Sequence, residues 1–269
     1  MSVIAAAAVV GLGLTGCTST NSDDDSSLLE TLQDRGSVTV GFAGEAPYSF
    51  EENGELTGAT VALHREIFGN LGIDTVEGVN ADFGALIPGL QANRFDVVSA
   101  GMSILPERCE QAAFSEPEFN YTTALMVEEG NPMNLTDMQS VAESGARLAT
   151  MTGAIESDYA SELGIDSMQV ATPQDGMDAV TSGRADVFAL TGISLNWMKN
   201  NDPDAPVEVT ESFVASRRSA RAVPCSALTT RSSSTPTTRN WPRSPPIRRS
   251  TSPSSASSGS PRRNSPTPR

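Results

Sequence analysis

The chain has 269 residues, of which 38% are hydrophobic and 19% charged, and it carries 33 acidic residues, 18 basic residues and one histidine. One histidine and three cysteines leave histidine-dependent triads and metal sites with few residues to build on, and no metal-ligand spacing occurs. The net charge of −15 averages two unlike segments, because every acid precedes residue 212 whereas 11 arginines follow residue 216.

Residues 1–17, MSVIAAAAVVGLGLTGC, form a short apolar segment that is typical of an export signal. The segment is too short to span a bilayer as a helix. Its end, LTGC, resembles a lipoprotein signal, in which Cys17 becomes the lipidated first residue. Residues 18–27 would be a polar tether, so we expect an exported protein, lipid-anchored at the outer face of the cytoplasmic membrane or periplasmic. The alternative is a buried N-terminal helix.

Short strands and helices alternate from residue 28 to about residue 213. SVTVGFAG at 37–44 predicts a buried strand, and Asn53-Gly54 predicts a hairpin turn. The other elements predicted before residue 122 are a helix at 59–72, a strand at 73–79, a helix at 82–95 and a strand at 96–101. The second series has helices at 135–144, 154–164, 173–183 and 193–201, with strands at 146–151, 168–172 and 186–191. This alternation predicts an α/β fold with parallel-rich sheets flanked by helices.

An internal echo indicates two similar lobes. GLQANRFDVVSAG at 89–101 and AVTSGRADVFALT at 179–191 share a helix, a polar turn, an Arg-x-Asp step and a buried strand. The alternative is that two ordinary helix-to-strand turns resemble each other. Each predicted sheet would contain one such unit, which favours two α/β lobes over a single large sheet.

Three segments resemble a known family. VTVGFAGEAPYSF, GALIPGLQANRFDVVSAGMSILPERCEQAAFS and GRADVFALT look like the extracytoplasmic solute-binding proteins of ABC importers, family 3, polar amino-acid type. EAPY, FGALIPGLQ and PERCEQ are most similar to the ectoine/hydroxyectoine-binding branch. The resemblance implies a two-lobed periplasmic-binding-protein-like (type II) fold that delivers its ligand to an ABC permease and its ATPase. Lobe 1 would begin with residues 28–122, lobe 2 would be 123–206, and 207–213 would be the crossover back to lobe 1.

Residues 214–269 are a low-complexity basic tail, predicted to be disordered because it lacks apolar periodicity. A basic arm that binds nucleic acid is one interpretation. The favoured one is a reading-frame slip in a GC-rich gene, because the acidic, foldable sequence stops where the resemblance requires the rest of lobe 1. No nucleic-acid partner is then expected.

The ectoine branch implies a cleft for a small zwitterion that carries a carboxylate beside a delocalised amidinium ring. Arg108 would take the carboxylate through its planar guanidinium, and Glu45 would meet the amidinium. Tyr48 and Phe83 would supply aromatic walls. A structural role stays open for each: Arg108 as a cap or surface pair, and the two aromatics as ordinary core residues.

The second lobe would contribute backbone groups and one residue that bears on ligand choice. Thr152 and Gly153 open a predicted helix and would offer free N–H groups to an anion. Thr191 stands where relatives that bind polar α-amino acids usually carry an Asp for the ammonium group, so an ectoine-like ligand is favoured and a polar amino acid is the alternative. Ser103 stands where the ectoine branch tends to have an aromatic, which removes one wall.

The remaining expectations concern Cys109, catalysis and the acidic composition. Cys109 is predicted to be an isolated, small buried residue rather than a reactive thiol. We expect no cofactor, no metal and no catalytic residue, although the same fold hosts dehydratases and lytic enzymes in which Glu45 could act as acid or base. The dispersed acids and single lysine resemble proteins of extreme halophiles.

Overall fold

The computed structural model describes residues 27–120 and 122–214. All of these residues belong to one compact unit. The predictions for residues 1–26 and 215–269, which include lipidation at Cys17 and the basic tail, lie outside the described residues.

The described residues form eight α-helices, a short 3-10 helix and ten strands. The α-helices are α1 (Leu28–Arg35), α2 (Ala59–Asn70), α3 (Leu86–Gln91), α4 (Pro106–Cys109), α5 (Met138–Ser144), α6 (Ile155–Glu162), α7 (Pro173–Thr181) and α8 (Gly192–Asn201), and the 3-10 helix is Phe83–Ala85. The strands are β1 (Ser37–Phe42), β2 (Phe50–Glu52), β3 (Glu55–Thr57), β4 (Thr75–Asn80), β5 (Val97–Val98), β6 (Thr123–Glu128), β7 (Leu148–Met151), β8 (Met168–Val170), β9 (Val187–Thr191) and β10 (Val207–Val209). Side-chain caps at Ser27, Asp137, Thr172 and Thr191 fix where α1, α5, α7 and α8 begin.

Two sheets and one hairpin organise these elements. The first sheet has the order β4-β1-β5 and is parallel throughout. The second has the order β10-β6-β9-β7-β8 and is mixed, because β6 runs antiparallel to both β9 and β10 while β7 runs parallel to β8 and β9. The α/β class and the type II arrangement are confirmed, with the second sheet less parallel than the pattern predicted.

Most predicted elements are present, and two differ. The hairpin forms at the expected turn, with Asn53 at φ 53° and Gly54 at φ 80°. The helix expected at 82–95 is divided into a 3-10 turn and α3, and it ends where Asn93 takes φ 56°. The strand expected at 96–101 is only β5, and Gly101 at φ 58° turns the chain away. Sequence analysis assigned no structure to α1, α4 or β6.

The internal echo corresponds to a repeated contact. In the first unit the Asp96 carboxylate accepts a hydrogen bond from Thr39 N at 2.9 Å, and in the second the Asp186 carboxylate accepts one from Arg147 N at 2.8 Å. Each aspartate precedes its strand and ties it to the neighbouring one, since Thr39 lies in β1 and Arg147 precedes β7. The shared Arg-x-Asp step therefore marks the same strand-entry device in each sheet.

The chain runs beside β6 a second time before the described residues end. Val207 pairs with Glu128 in the antiparallel register of β10 and β6. Thr123 and Phe213 then exchange backbone hydrogen bonds of 2.9 and 2.8 Å. The segment predicted as a crossover, 207–213, thus begins as an edge strand of the second sheet.

Candidate functional site

A buried carboxylate lies where the first sheet faces α8. Glu45 follows β1 in a tight turn and is 3% exposed. Its Oε1 accepts hydrogen bonds from Ser194 Oγ at 2.7 Å and from Thr191 Oγ1 at 3.4 Å. Burial raises the pKa of the Glu45 carboxyl to about 7, and the negative charge of Glu156 adds to the rise while the Ser194 hydroxyl opposes it. Near neutral pH the protonated and ionised forms of this carboxyl are therefore close in free energy.

Thr191 and Ser194 reach Glu45 because of how α8 starts. Thr191 ends the fully buried strand β9 and caps α8, accepting a hydrogen bond from Ser194 N at 3.3 Å. The three-residue spacing puts the two hydroxyls beside each other, with their oxygens 3.0 Å apart. The start of α8 is thus a polar surface against the Glu45 turn.

Arg108 lies on the short helix α4 and spans the cleft. The side chain is buried, and its Nη1 donates to Ser103 O at 3.0 Å while its Nη2 donates to Gly153 O at 2.8 Å. Its Cζ lies 5.7 Å from the centre of the Phe83 ring, within the range of a cation–π contact. The guanidinium therefore contacts the second-sheet side in this structure through a backbone carbonyl.

A second carboxylate, Glu156, lies on the opposite side of the same pocket. It is 1% exposed on the first turn of α6 and accepts a hydrogen bond from Thr123 Oγ1 at 2.6 Å. Burial raises the pKa of Glu156, and the positive charge of Arg108 and the Thr123 hydrogen bond act against that rise. The pocket thus combines one guanidinium with two buried carboxyl groups.

Four of the eight predicted ligand-binding residues line this pocket. They are Glu45, Phe83, Arg108 and Thr191, and the remaining lining residues are Gly101, Met151, Ala154, Ile155, Glu156 and Leu190. Ser103 and Gly153 stand beside it and bond to Arg108 through their carbonyl oxygens.

Tyr48 is a support for the pocket in this structure rather than one of its lining residues. Its ring stacks on Phe119 with centroids 5.3 Å apart and an interplanar angle of 13°. Its hydroxyl donates to Thr191 Oγ1 at 3.3 Å, and burial raises the pKa of the phenol, which keeps it protonated as a donor. Tyr48 therefore joins the two sides of the cleft through a hydrogen bond.

The loop at Thr152 and Gly153 differs from the expected anion site. Thr152 N donates to Val170 O at 3.0 Å, so this amide belongs to the sheet-edge hydrogen bonding, and α6 begins only at Ile155. Gly153 has φ 76°, and a Cβ placed on it would lie 2.9 Å from the Cα of Gly84. The two sides of the cleft thus touch here, backbone to backbone, where only glycine leaves room.

Three further residues of the site were missed by sequence analysis, namely Glu156, Ser194 and Thr123. Ser194 could have been found from its position three residues after the cap Thr191. Cys109 is 8% exposed as expected, but it is disulfide-bonded, which corrects the prediction of an isolated cysteine. Within residues 27–120 and 122–214, no three His, Cys, Asp or Glu side chains cluster as metal ligands would, and no helix has the length and apolar character needed to cross a membrane.

Comparison with known proteins places this geometry in a family. The family described as bacterial extracellular solute-binding proteins, family 3, matches residues 38–223. A probable amino-acid ABC transporter periplasmic-binding protein, y4tE of Sinorhizobium fredii, is 40% identical over 167 residues, which are 60% of this chain and 55% of that protein. The chain therefore spans only about half the length of this relative.

Two further relatives bear on the ligand. The arginine-binding extracellular protein ArtP of Bacillus subtilis is 25% identical over 224 residues, covering 79% of this chain and 84% of that protein. EhuB, whose crystal structure was solved in complex with hydroxyectoine, is 33% identical in sequence to this chain. Its structure matches with a TM-score of 0.65, covering 68% of this chain and 73% of EhuB. All three relatives are binding proteins and none is described as an enzyme.

Proposed function

Since the chain belongs to the bacterial extracellular solute-binding proteins of family 3, we propose that its cleft captures a small zwitterionic compatible solute of the ectoine type. The protein would be exported, anchored by lipid at Cys17, and would deliver the ligand to an ABC permease and its ATPase. The less favoured ligand class is a polar amino acid.

The observation that supports this proposal is the charge arrangement of one buried pocket. Arg108 can turn from the carbonyl oxygen of Gly153, 2.8 Å away, to a ligand carboxylate, which accepts two parallel hydrogen bonds from a guanidinium. Glu45 and Glu156 would face the cationic part of the ligand. Phe83 would supply a flat apolar face beside the guanidinium.

The choice between an amidinium ring and an α-amino acid depends on Thr191. An α-ammonium group buried in the cleft needs a carboxylate partner, whereas Thr191 offers a hydroxyl that is already bonded to Ser194 and Tyr48. A delocalised amidinium spreads its charge and can be met by Glu45 alone. The likeness to EhuB, solved with hydroxyectoine, agrees with this choice.

One observation favours arginine as the second candidate. The additional carboxylate Glu156 makes the pocket suitable for a ligand with two cationic groups, one for each glutamate. ArtP, an arginine-binding protein, covers more of this chain than y4tE does. A ligand with one carboxylate, one guanidinium and one ammonium would then use Arg108, Glu156 and Glu45, with Glu45 in place of the carboxylate that Thr191 does not supply.

The test is calorimetric titration of the full-length chain in concentrated KCl with hydroxyectoine, arginine and glutamine in separate experiments. We expect binding of hydroxyectoine, and about 10- to 100-fold weaker binding after Arg108→Lys, because lysine cannot form the paired hydrogen bonds. Arg94→Lys is the matched control, since Arg94 is exposed on the turn after α3. Tightest binding of arginine would replace the first candidate by the second, and binding of none of the three would overturn the proposal.

A further inference from the structure

The single histidine of the chain lies in α2, and both of its ring nitrogens are engaged. Nδ1 of His64 is 2.9 Å from Ser99 Oγ, and Nε2 is 2.9 Å from an oxygen of Glu118. The residue is 8% exposed and lies outside the set of residues that line the pocket. It bridges Ser99, which follows β5, and Glu118, which precedes β6.

Each hydroxyl has one proton to donate, which fixes the donor and the acceptor in each hydrogen bond of this network. Thr60 Oγ1 donates its proton to Tyr48 O at 2.9 Å, because a carbonyl oxygen can only accept. Ser99 Oγ, 3.1 Å from Thr60 Oγ1, must then donate to it and accept from His64 Nδ1. Nδ1 therefore carries a proton, and Nε2 lies 2.9 Å from the Glu118 carboxylate.

Both branches of the network end at Tyr48. One branch holds the backbone, since the Thr60 amide and hydroxyl both donate to Tyr48 O, at 3.0 and 2.9 Å. The other holds the ring, because Glu118 immediately precedes Phe119, whose ring stacks on that of Tyr48. The Tyr48 hydroxyl in turn donates to Thr191 at the start of α8. His64 is thus connected to the cleft through hydrogen bonds and one ring stacking contact.

We propose that His64 is a positioning residue for the ligand site. By holding Ser99 and Glu118 on its two nitrogens it fixes the backbone and the stacking partner of Tyr48, and so places the Tyr48 hydroxyl against Thr191 across the cleft. This role rests on the proposed function, because its effect on affinity requires that the cleft bind a ligand.

The test breaks the network at its exposed end, where folding is least at risk. Glu118→Ala removes one partner of His64, whereas Glu118→Gln keeps a hydrogen bond, since its amide can donate to Nε2 of a neutral imidazole. Glu116→Ala is the matched control, since it removes an equal charge from an exposed position two residues away. The full-length chain is labelled with 3-fluorotyrosine, and Tyr48→Phe assigns the Tyr48 resonance among the three tyrosines.

Two readouts are combined, namely the fluorine resonance of Tyr48 without ligand and the dissociation constants for hydroxyectoine and arginine. We expect Glu118→Ala to shift the resonance and to weaken binding about tenfold, Glu118→Gln to restore both, and Glu116→Ala to change neither. An unshifted resonance in Glu118→Ala, or a shifted resonance with unchanged affinity, would overturn the proposal. If the wild-type chain binds neither ligand, the proposed function fails, and the ligand-free resonance alone decides whether the network holds Tyr48.

Discussion

Replacing Glu45 by glutamine should stabilise the ligand-free protein at alkaline pH and lower its affinity for the ligand. The carboxyl is 3% exposed, and burial raises its pKa from 4.5 to about 7. Because the folded-state pKa lies above the unfolded one, the folded state holds the proton more tightly and ionisation of Glu45 opposes folding. The penalty is absent below pH 4.5, grows between pH 4.5 and 7, and stays constant above pH 7.

The magnitude follows from the size of this window. A pKa difference of about 2.5 units corresponds to roughly 3 kcal/mol of unfolding free energy, at 1.36 kcal/mol per unit. The amide oxygen of glutamine can still accept from Ser194 Oγ, which lies 2.7 Å away, and it does not ionise. Glu45→Gln should therefore raise the unfolding free energy by up to about 3 kcal/mol at pH 8 and leave it nearly unchanged at pH 4.5.

The assay is urea denaturation in concentrated KCl at pH 4.5 and pH 8, with the wild type, Glu45→Gln and Glu51→Gln. Glu51 is an exposed glutamate in β2, so its replacement controls for the loss of one negative charge. Two results would refute the assignment of the penalty to a buried carboxylate. One is that Glu45→Gln changes the unfolding free energy equally at pH 4.5 and pH 8, and the other is that Glu51→Gln changes it at pH 8 as much as Glu45→Gln does. In the same preparations Glu45→Gln should bind hydroxyectoine more weakly, because the cation loses its counter-charge.

Three other predictions concern the cleft surface, the core and the acidic exterior. Gly153→Ala should lower ligand affinity about tenfold in calorimetry, because its Cβ would lie 2.9 Å from Gly84. Gly164→Ala, which has a similar φ but open space around it, should leave affinity unchanged, and equal losses in the two variants would contradict the contact. Ser49→Ala should raise the unfolding free energy by about 1 kcal/mol in urea denaturation, because the fully buried Ser49 hydroxyl has no hydrogen-bond partner among the described residues; destabilisation would contradict this reasoning. The melting temperature should rise with KCl concentration, since salt screens repulsion among the 33 acids, and a flat dependence would count against that repulsion.

The fold could be predicted further than the site. The alternation of strands and helices located most of the elements, because the hydrophobic period and turn residues such as Asn53 and Gly54 are local properties of the chain. β6 was not assigned, since its buried run TALMVE has no alternation and follows the irregular segment 110–120. The direction of β6 against β9 is a tertiary property, so the mixed second sheet could not be deduced from the pattern.

Residue type alone identifies only some of the residues in this site. Arg108, Phe83, Glu45 and Thr191 were named from a resemblance, and all four line one pocket. Glu156 was not named, because in a chain with 33 acids nothing local distinguishes a glutamate at 1% exposure from one in solvent. That difference comes from tertiary structure, which buries Glu156 and brings it to the Thr123 hydroxyl.

Charge balance inside the pocket connects these observations to the proposed ligand. With both carboxyl groups ionised, the negative charges of Glu45 and Glu156 together exceed the single positive charge of Arg108, and all three side chains are buried. The ligand-free protein can relieve that excess by protonating Glu45, whose pKa burial raises to about 7. In the proposed complex a zwitterion would relieve it differently: its carboxylate would engage Arg108, and its cation would replace the proton as the partner of Glu45. Under this proposal, the buried carboxylate whose ionisation opposes folding without ligand would be the same group that the cation of the ligand stabilises.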